Sequence, residues 1–146
     1  MGGRISIERK TLLFMKEEPE IKKLVGLKQE HFGQIFRQVF FSPKTTGNRH
    51  LKVAFIDVPP GSIGTAHIHL GEEIVYTIKG KAVLMIEGKE YTLDEGTCFL
   101  IPPNVEHPAR VVGDENWVAI AAYCDECPLL KKKLGKEDVD YPISKE

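Results

Sequence analysis

From Leu51 onward, apolar, β-branched and aromatic residues fall in short runs separated by Gly, Pro, Asn and Asp at intervals of roughly eight to twelve residues. The runs are "LKVAFIDV", "TAHIH", "EIVYTI", "AVLMIE", "KEYTL", "TCFLIP", "HPARVV" and "WVAIAAY", and each reads as a strand. Such a series predicts an all-β barrel or sandwich. The first third is less regular. Pro19 to Leu27 sets Ile21, Leu24 and Val25 at helical spacing behind a proline suited to a first turn, so it reads as a short helix. "IFRQVFF", Ile35 to Phe41, reads as a strand, and Ser42 to His50 as a polar turn. After Pro128, Leu129, Leu130 and Leu134 share a short helical face before the chain becomes charged. The expected layout is one domain: an N-terminal extension over 1–50 with a short helix and an edge strand, a barrel over 51–124, and a tail over 125–146. No internal repeat, Walker loop or G-x-G-x-x-G is present.

Composition narrows the partners. The 146 residues suffice for one ordinary hydrophobic core. With 20 basic and 21 acidic residues the formal charge is −1, and no segment concentrates Lys and Arg as a nucleic-acid surface does. No apolar run approaches the roughly eighteen residues of a membrane span, and the N-terminus lacks a signal-peptide core, so a soluble cytoplasmic protein is expected. Met1, Gly2 and Ser6 fit a myristoylation pattern, but the pattern is short and no second membrane signal accompanies it. Cys98, Cys124 and Cys127 are an odd number, which argues against a disulfide framework. "CDEC" lacks the second pair that a tetrahedral zinc site needs and follows a strand rather than opening a helix, so its thiols read as structural or incidental.

The segment "PPGSIGTAHIHLGEEIVYTIKG" carries the densest chemistry. In extended chain, residues two apart point to one side, so His67 and His69 face the same interior while Ile68 faces away. Glu73 opens the next strand toward the same point, and Glu72 alternates to the other face. His107 is a fourth candidate, delivered by a tight turn at Pro103-Asn104, where Pro fixes φ and Asn tolerates positive φ. Taken singly, each has a plain reading, a satisfied core histidine or a solvated glutamate. Together, three histidines and a carboxylate buried without a cation would leave unpaired polar groups at a cost of several kcal/mol. Val75, Thr77, Ala109 and Val111 share the ligand face by parity. Tyr76 and Arg110 alternate away, Tyr76 to packing and Arg110 to a surface or interface salt bridge. His31 and His50 read as surface residues, and Trp117 and Phe99 as core or subunit contacts. Parity leaves Arg37 and Gln38 open between the barrel mouth and water.

These residues resemble the cupins. Gly61, His67, His69, Glu73 and Gly80 fit the family's first motif without a gap, and Gly96, Pro102 and His107 match the second, with Asn104 in place of glycine and Val111 in place of asparagine. The resemblance runs from Leu51 to about Tyr123. It implies a double-stranded β-helix, the cupin or jelly-roll barrel, holding one divalent transition metal on His67, His69, Glu73 and His107. The ligand set suits Fe, Mn, Ni, Co or Zn alike. With two positions open on an octahedral ion, the leading expectation is a metal-dependent enzyme acting on a small oxygen-rich molecule as dioxygenase, isomerase, lyase or decarboxylase, with the dioxygen chemistry slightly favoured. The alternative is a non-catalytic module that binds or senses a metal and a small acid; a storage-type structural cupin has little need of all four ligands. A homodimer is expected, with "IFRQVFF" covering a partner's sheet edge.

Overall fold

The computed structural model describes residues 18–48 and 50–124. Nine strands follow one another: β1 Lys28–Phe32, β2 Ile35–Phe41, β3 Lys52–Val58, β4 Glu73–Lys79, β5 Lys81–Ile86, β6 Lys89–Leu93, β7 Cys98–Ile101, β8 Ala109–Val112 and β9 Trp117–Tyr123. They form two antiparallel sheets, one of order β1-β2-β3-β9-β4-β7 and one of order β6-β5-β8, facing each other as a jelly-roll barrel.

The inner faces make one core. Ile56 and Val58 of β3, Val75 of β4, Ala82 and Leu84 of β5, and Trp117, Ala119 and Ala121 of β9 are buried with Leu93, Ile101 and Tyr123. Alternation is strict on β9, where every second residue from Trp117 to Tyr123 is buried. On β4 the buried positions are Glu73, Val75 and Thr77. A carboxylate therefore occupies a core position, at 0% exposure. Trp117 Nε1 donates to Thr77 Oγ1 at 3.0 Å, which satisfies the buried indole and locks β9 to β4.

Several expectations are corrected. No helix forms at Pro19 to Leu27; a turn at Val25 and Gly26 stands there instead, and Ile21 and Val25 are 91% and 92% exposed. The spacing was helical, but nine residues with no surface to pack against do not hold a helix. The short helix α1, Pro43–Thr46, lies instead within the Ser42 to His50 turn, capped by Ser42. The C-terminal helical face at Leu129, Leu130 and Leu134, and Cys127, lie outside the described residues. β1 was not anticipated because "KQEHF" has no apolar alternation; it forms by pairing all five residues with β2. β2 is consequently an interior strand, paired on both sides, and β1 is the edge, so "IFRQVFF" has no free edge to offer a partner.

Candidate metal centre

"TAHIH" is not a strand. Residues 61–64 run beside β8, with Gly61 N and Gly64 N donating to Val111 O and Ala109 O at 3.0 and 2.7 Å. The β1–β2 turn holds the other side: Gln34 N donates to Ile63 O at 2.8 Å, Gln34 Oε1 accepts from Ile63 N at 3.0 Å, and Thr65 N donates to Phe32 O at 3.1 Å. His67 and His69 then follow outside any strand. Side-chain direction alternates in any extended segment, so the shared face survives the loss of the ladder.

The second loop is tied to the first. Asn104 N donates to His69 O at 2.8 Å and His107 N to His67 O at 3.4 Å. Asn104 sits at φ 60°, the left-handed conformation that the Pro103-Asn104 turn requires. Leu70 is fully buried and pins the first loop between its histidines and Glu73. A Cβ on Gly71 would lie 2.1 Å from Cys124 O, so only glycine lets the loop pass the end of β9 this closely.

The four expected residues meet. The candidate ligand atoms of His67, His69, Glu73 and His107 all lie within 4.8 Å of one another, the one such group among the described residues. Glu73 Oε2 is 2.9 Å from His69 Nε2 and 3.5 Å from His107 Nε2. The Nε2 atoms of His67, His69 and His107 are buried and form no aligned hydrogen bond, as are both Glu73 oxygens. On the opposite side of two rings, Nδ1 faces a backbone carbonyl: His67 Nδ1 to Thr65 O at 3.1 Å and His107 Nδ1 to Val105 O at 2.9 Å. Both carbonyls accept a hydrogen bond from Nδ1–H, and in the neutral ring that tautomer leaves Nε2 with its lone pair. Orphaned imidazole nitrogens around a carboxylate are a donor set that fits a divalent transition ion.

Charge reinforces this state. Burial, with the Arg37 guanidinium next, lowers the His67 pKa from 6.5 to about 3, so its ring is neutral at physiological pH. Burial alone would raise Glu73, but Arg37 and the nearby His107 and His69 rings override it and hold the carboxyl well below its usual range. Arg37, which parity left open, is a charged neighbour of the cluster. It is buried, and its Nη2 lies 3.0 Å from Glu73 Oε1. In β2, Ile35, Arg37 and Val39 share the buried face. Because Phe36 and Phe40 make the other face apolar too, the sequence alone could not rank the two sides.

The remaining candidates disperse. Glu72, His31 and His50 are exposed, as expected. Arg110 pairs with Glu90 at 2.8 Å on the surface. Tyr76 is 44% exposed on the outer face, a correction to the packing expected of it. Gln38 Nε2 donates to Leu24 O at 3.4 Å. Val75 and Ala109 line the cavity at the cluster, whereas Thr77 and Val111 are buried away from it, Val111 in the core. That cavity is lined by the apolar Ile35, Leu84, Ile101 and Trp117 and by Thr65, Arg37, His67, Glu73 and His107.

The comparisons agree with this architecture. The family model described as Cupin domain matches residues 54–123. A protein of Streptomyces cyaneus named Polyketide synthase CurC is 26% identical over 106 residues, which are 72% of this chain and 68% of that protein. A Cupin 2 conserved barrel domain protein from Salinispora arenicola superimposes with a TM-score of 0.63 at 21% identity, over 82% of this chain and 99% of that one. An RmlC-like cupin from Shewanella frigidimarina gives 0.59 at 22% identity, over 74% and 92%. Matching motifs, ordered ligand loops and barrel topology converge: the chain carries a cupin domain over residues 54–123.

Proposed function

We propose that this domain is a metal-dependent enzyme site acting on a small oxygen-rich molecule, with His67, His69, Glu73 and His107 holding one divalent transition ion. The carrying observation is the set of buried, unbonded imidazole Nε2 atoms gathered with Glu73 inside 4.8 Å, beside a cavity that His67, Glu73 and His107 line. Bound there, such an ion supplies Lewis-acid polarisation of a carbonyl or enol oxygen or, if redox-active, a site for dioxygen. The chain's own part is to exclude water with Ile35, Leu84, Ile101 and Trp117 and to orient the ligand with few polar groups. With so few polar contacts, a molecule that chelates through two oxygens is favoured, since chelation limits the freedom lost on binding. The name of the Streptomyces relative supports this class, because polyketides are rich in neighbouring carbonyl and enol oxygens.

Protein loaded anaerobically with Fe(II) should change its absorption on adding a chelating 2-oxo acid or catechol and consume oxygen when exposed to air. Equal turnover of the same compound without oxygen would move the assignment to isomerase, lyase or decarboxylase. A second reading, a non-catalytic metal- and ligand-binding module, is favoured by one feature: beyond the cluster, the described residues that line the cavity include no carboxylate, histidine or lysine to act as a general base. Tight chelate binding with no turnover under any metal would select it. The reading extends to a cytoplasmic homodimer. Ile74, Tyr76 and Ile78 of β4 and Leu100 of β7 form an exposed apolar outer face suited to a second copy, and a monomer mass by light scattering across a wide concentration range would count against it.

A further inference from the structure

Arg37 stands outside the four-residue cluster yet reaches three of its members. Its Nη2 meets Glu73 Oε1 at 3.0 Å, while the other carboxylate oxygen, Oε2, faces His69 and His107. Its Cζ lies 4.7 Å from the Phe32 ring centroid and 5.2 Å from that of Tyr123. Each of those rings stacks on a cluster imidazole: Phe32 on His67 at 4.4 Å and 24°, and Tyr123 on His69 at 4.9 Å and 22°. A guanidinium suits this place because it is planar, always charged and able to engage rings and a carboxylate at once.

We infer that Arg37 is a positioning residue for the metal centre. By holding Glu73 Oε1 it leaves Oε2 as the single carboxylate donor, and by its contacts with Phe32 and Tyr123 it fixes the planes of His67 and His69. The inference rests on the metal-site reading above. It differs in sign from a plain charge-balancing role. Electrostatics alone makes a cation beside a bound dication repulsive, so deleting Arg37 would then tighten metal binding. Deleting a positioning group loosens it.

Co(II) is the probe, because its visible absorption reports donor number and geometry independently of activity. Wild-type protein, Arg37→Met and Arg37→Lys are titrated in competition with a chelator, with circular dichroism confirming the fold. Arg37→Met should bind Co(II) about 10- to 100-fold more weakly, the usual range for losing an outer-shell partner, and with an altered spectrum. Arg37→Lys, which keeps the charge but not the plane, should recover only part of the affinity and keep a shifted spectrum. A folded Arg37→Met that binds Co(II) as tightly as wild type or tighter, with the wild-type spectrum, overturns the inference. If Arg37→Met does not fold, Arg37→Lys decides: wild-type affinity and spectrum overturn the inference, and a shifted spectrum with weaker binding upholds it. Failure of the wild-type protein itself to bind Co(II) overturns the metal-site reading, which the wild-type control makes separately visible.

Discussion

Substituting Glu73 by Gln in metal-free protein isolates the buried ion pair. Glu73 is fully buried and Arg37 is 6% exposed, with Nη2 and Oε1 3.0 Å apart. At that separation and an effective dielectric of about 20, the attraction is roughly 5 kcal/mol. Desolvating both groups offsets most of this, so the pair contributes little net stability while intact. Breaking it is different, because the buried Arg37 guanidinium loses the Glu73 carboxylate it faces at 3.0 Å. The expected loss is about 3–5 kcal/mol, the range for uncoupling one partner of a buried pair. For a domain of this size that corresponds to a fall in Tm on the order of 10–20 °C. The assay is urea denaturation of chelator-treated wild type, Glu73→Gln, Arg37→Met and the double variant. The double variant, with no charge to bury, should be more stable than either single change predicts, with a coupling energy of at least about 2 kcal/mol. A Glu73→Gln loss below about 1 kcal/mol, or additive single changes, would refute the reasoning.

Three further outcomes follow from the same geometry. The metal-free fold should weaken as pH falls: His67 has a folded pKa of about 3 against 6.5 ordinarily, so the unfolded chain takes up the proton first, and stability is lost from about pH 6.5 downward. By pH 5 the loss is on the order of 2 kcal/mol relative to pH 8. Glu73, also lowered, adds to it only below its ordinary 4.5. Urea midpoints at the two pH values check this, and His67→Gln should flatten the difference. Thr77→Val removes the acceptor for Trp117 Nε1, and leaving a buried donor unpaired should cost about 1–3 kcal/mol with a change in the near-ultraviolet circular dichroism of the tryptophan. Gly71→Ala would drive a Cβ against Cys124 O, costing about 1–3 kcal/mol and weakening Co(II) binding as the loop carrying His69 shifts; unchanged affinity would show that the loop yields elsewhere.

The strands after Leu51 were legible because their inner faces bury one row of side chains against a shared core, and a period of two marks such rows wherever the outer residues differ in character. β9 shows this in full. Where the outer face is also apolar, the period remains but its polarity is lost, which is why Tyr76 read as packing although Ile74, Tyr76 and Ile78 all face outward. β1 lacked any signal because it is held by backbone pairing to β2 and presents mostly exposed residues; hydrogen bonds leave no trace in composition. The Pro19 to Leu27 helix failed for the converse reason. Its spacing was present, but nothing packs on Ile21 or Val25.

The cluster was legible for a reason independent of the secondary structure first assigned to it. His67 and His69 lie in a loop rather than a strand, yet an extended chain two residues apart gives the same direction, and the Asn104–His69 and His107–His67 backbone bonds bring the second loop to the first. Arg37 was not legible. It lies 36 residues before Glu73 in a strand apolar on both faces, and only the pairing order β2-β3-β9-β4 brings the two strands onto one interior surface. A local motif can name donors that share a loop. The charge paired with that carboxylate comes from a different strand of the sheet, through a register that no short pattern encodes. Any account of this centre drawn from its motifs alone therefore has the four candidate donors and lacks the guanidinium that faces Glu73 Oε1.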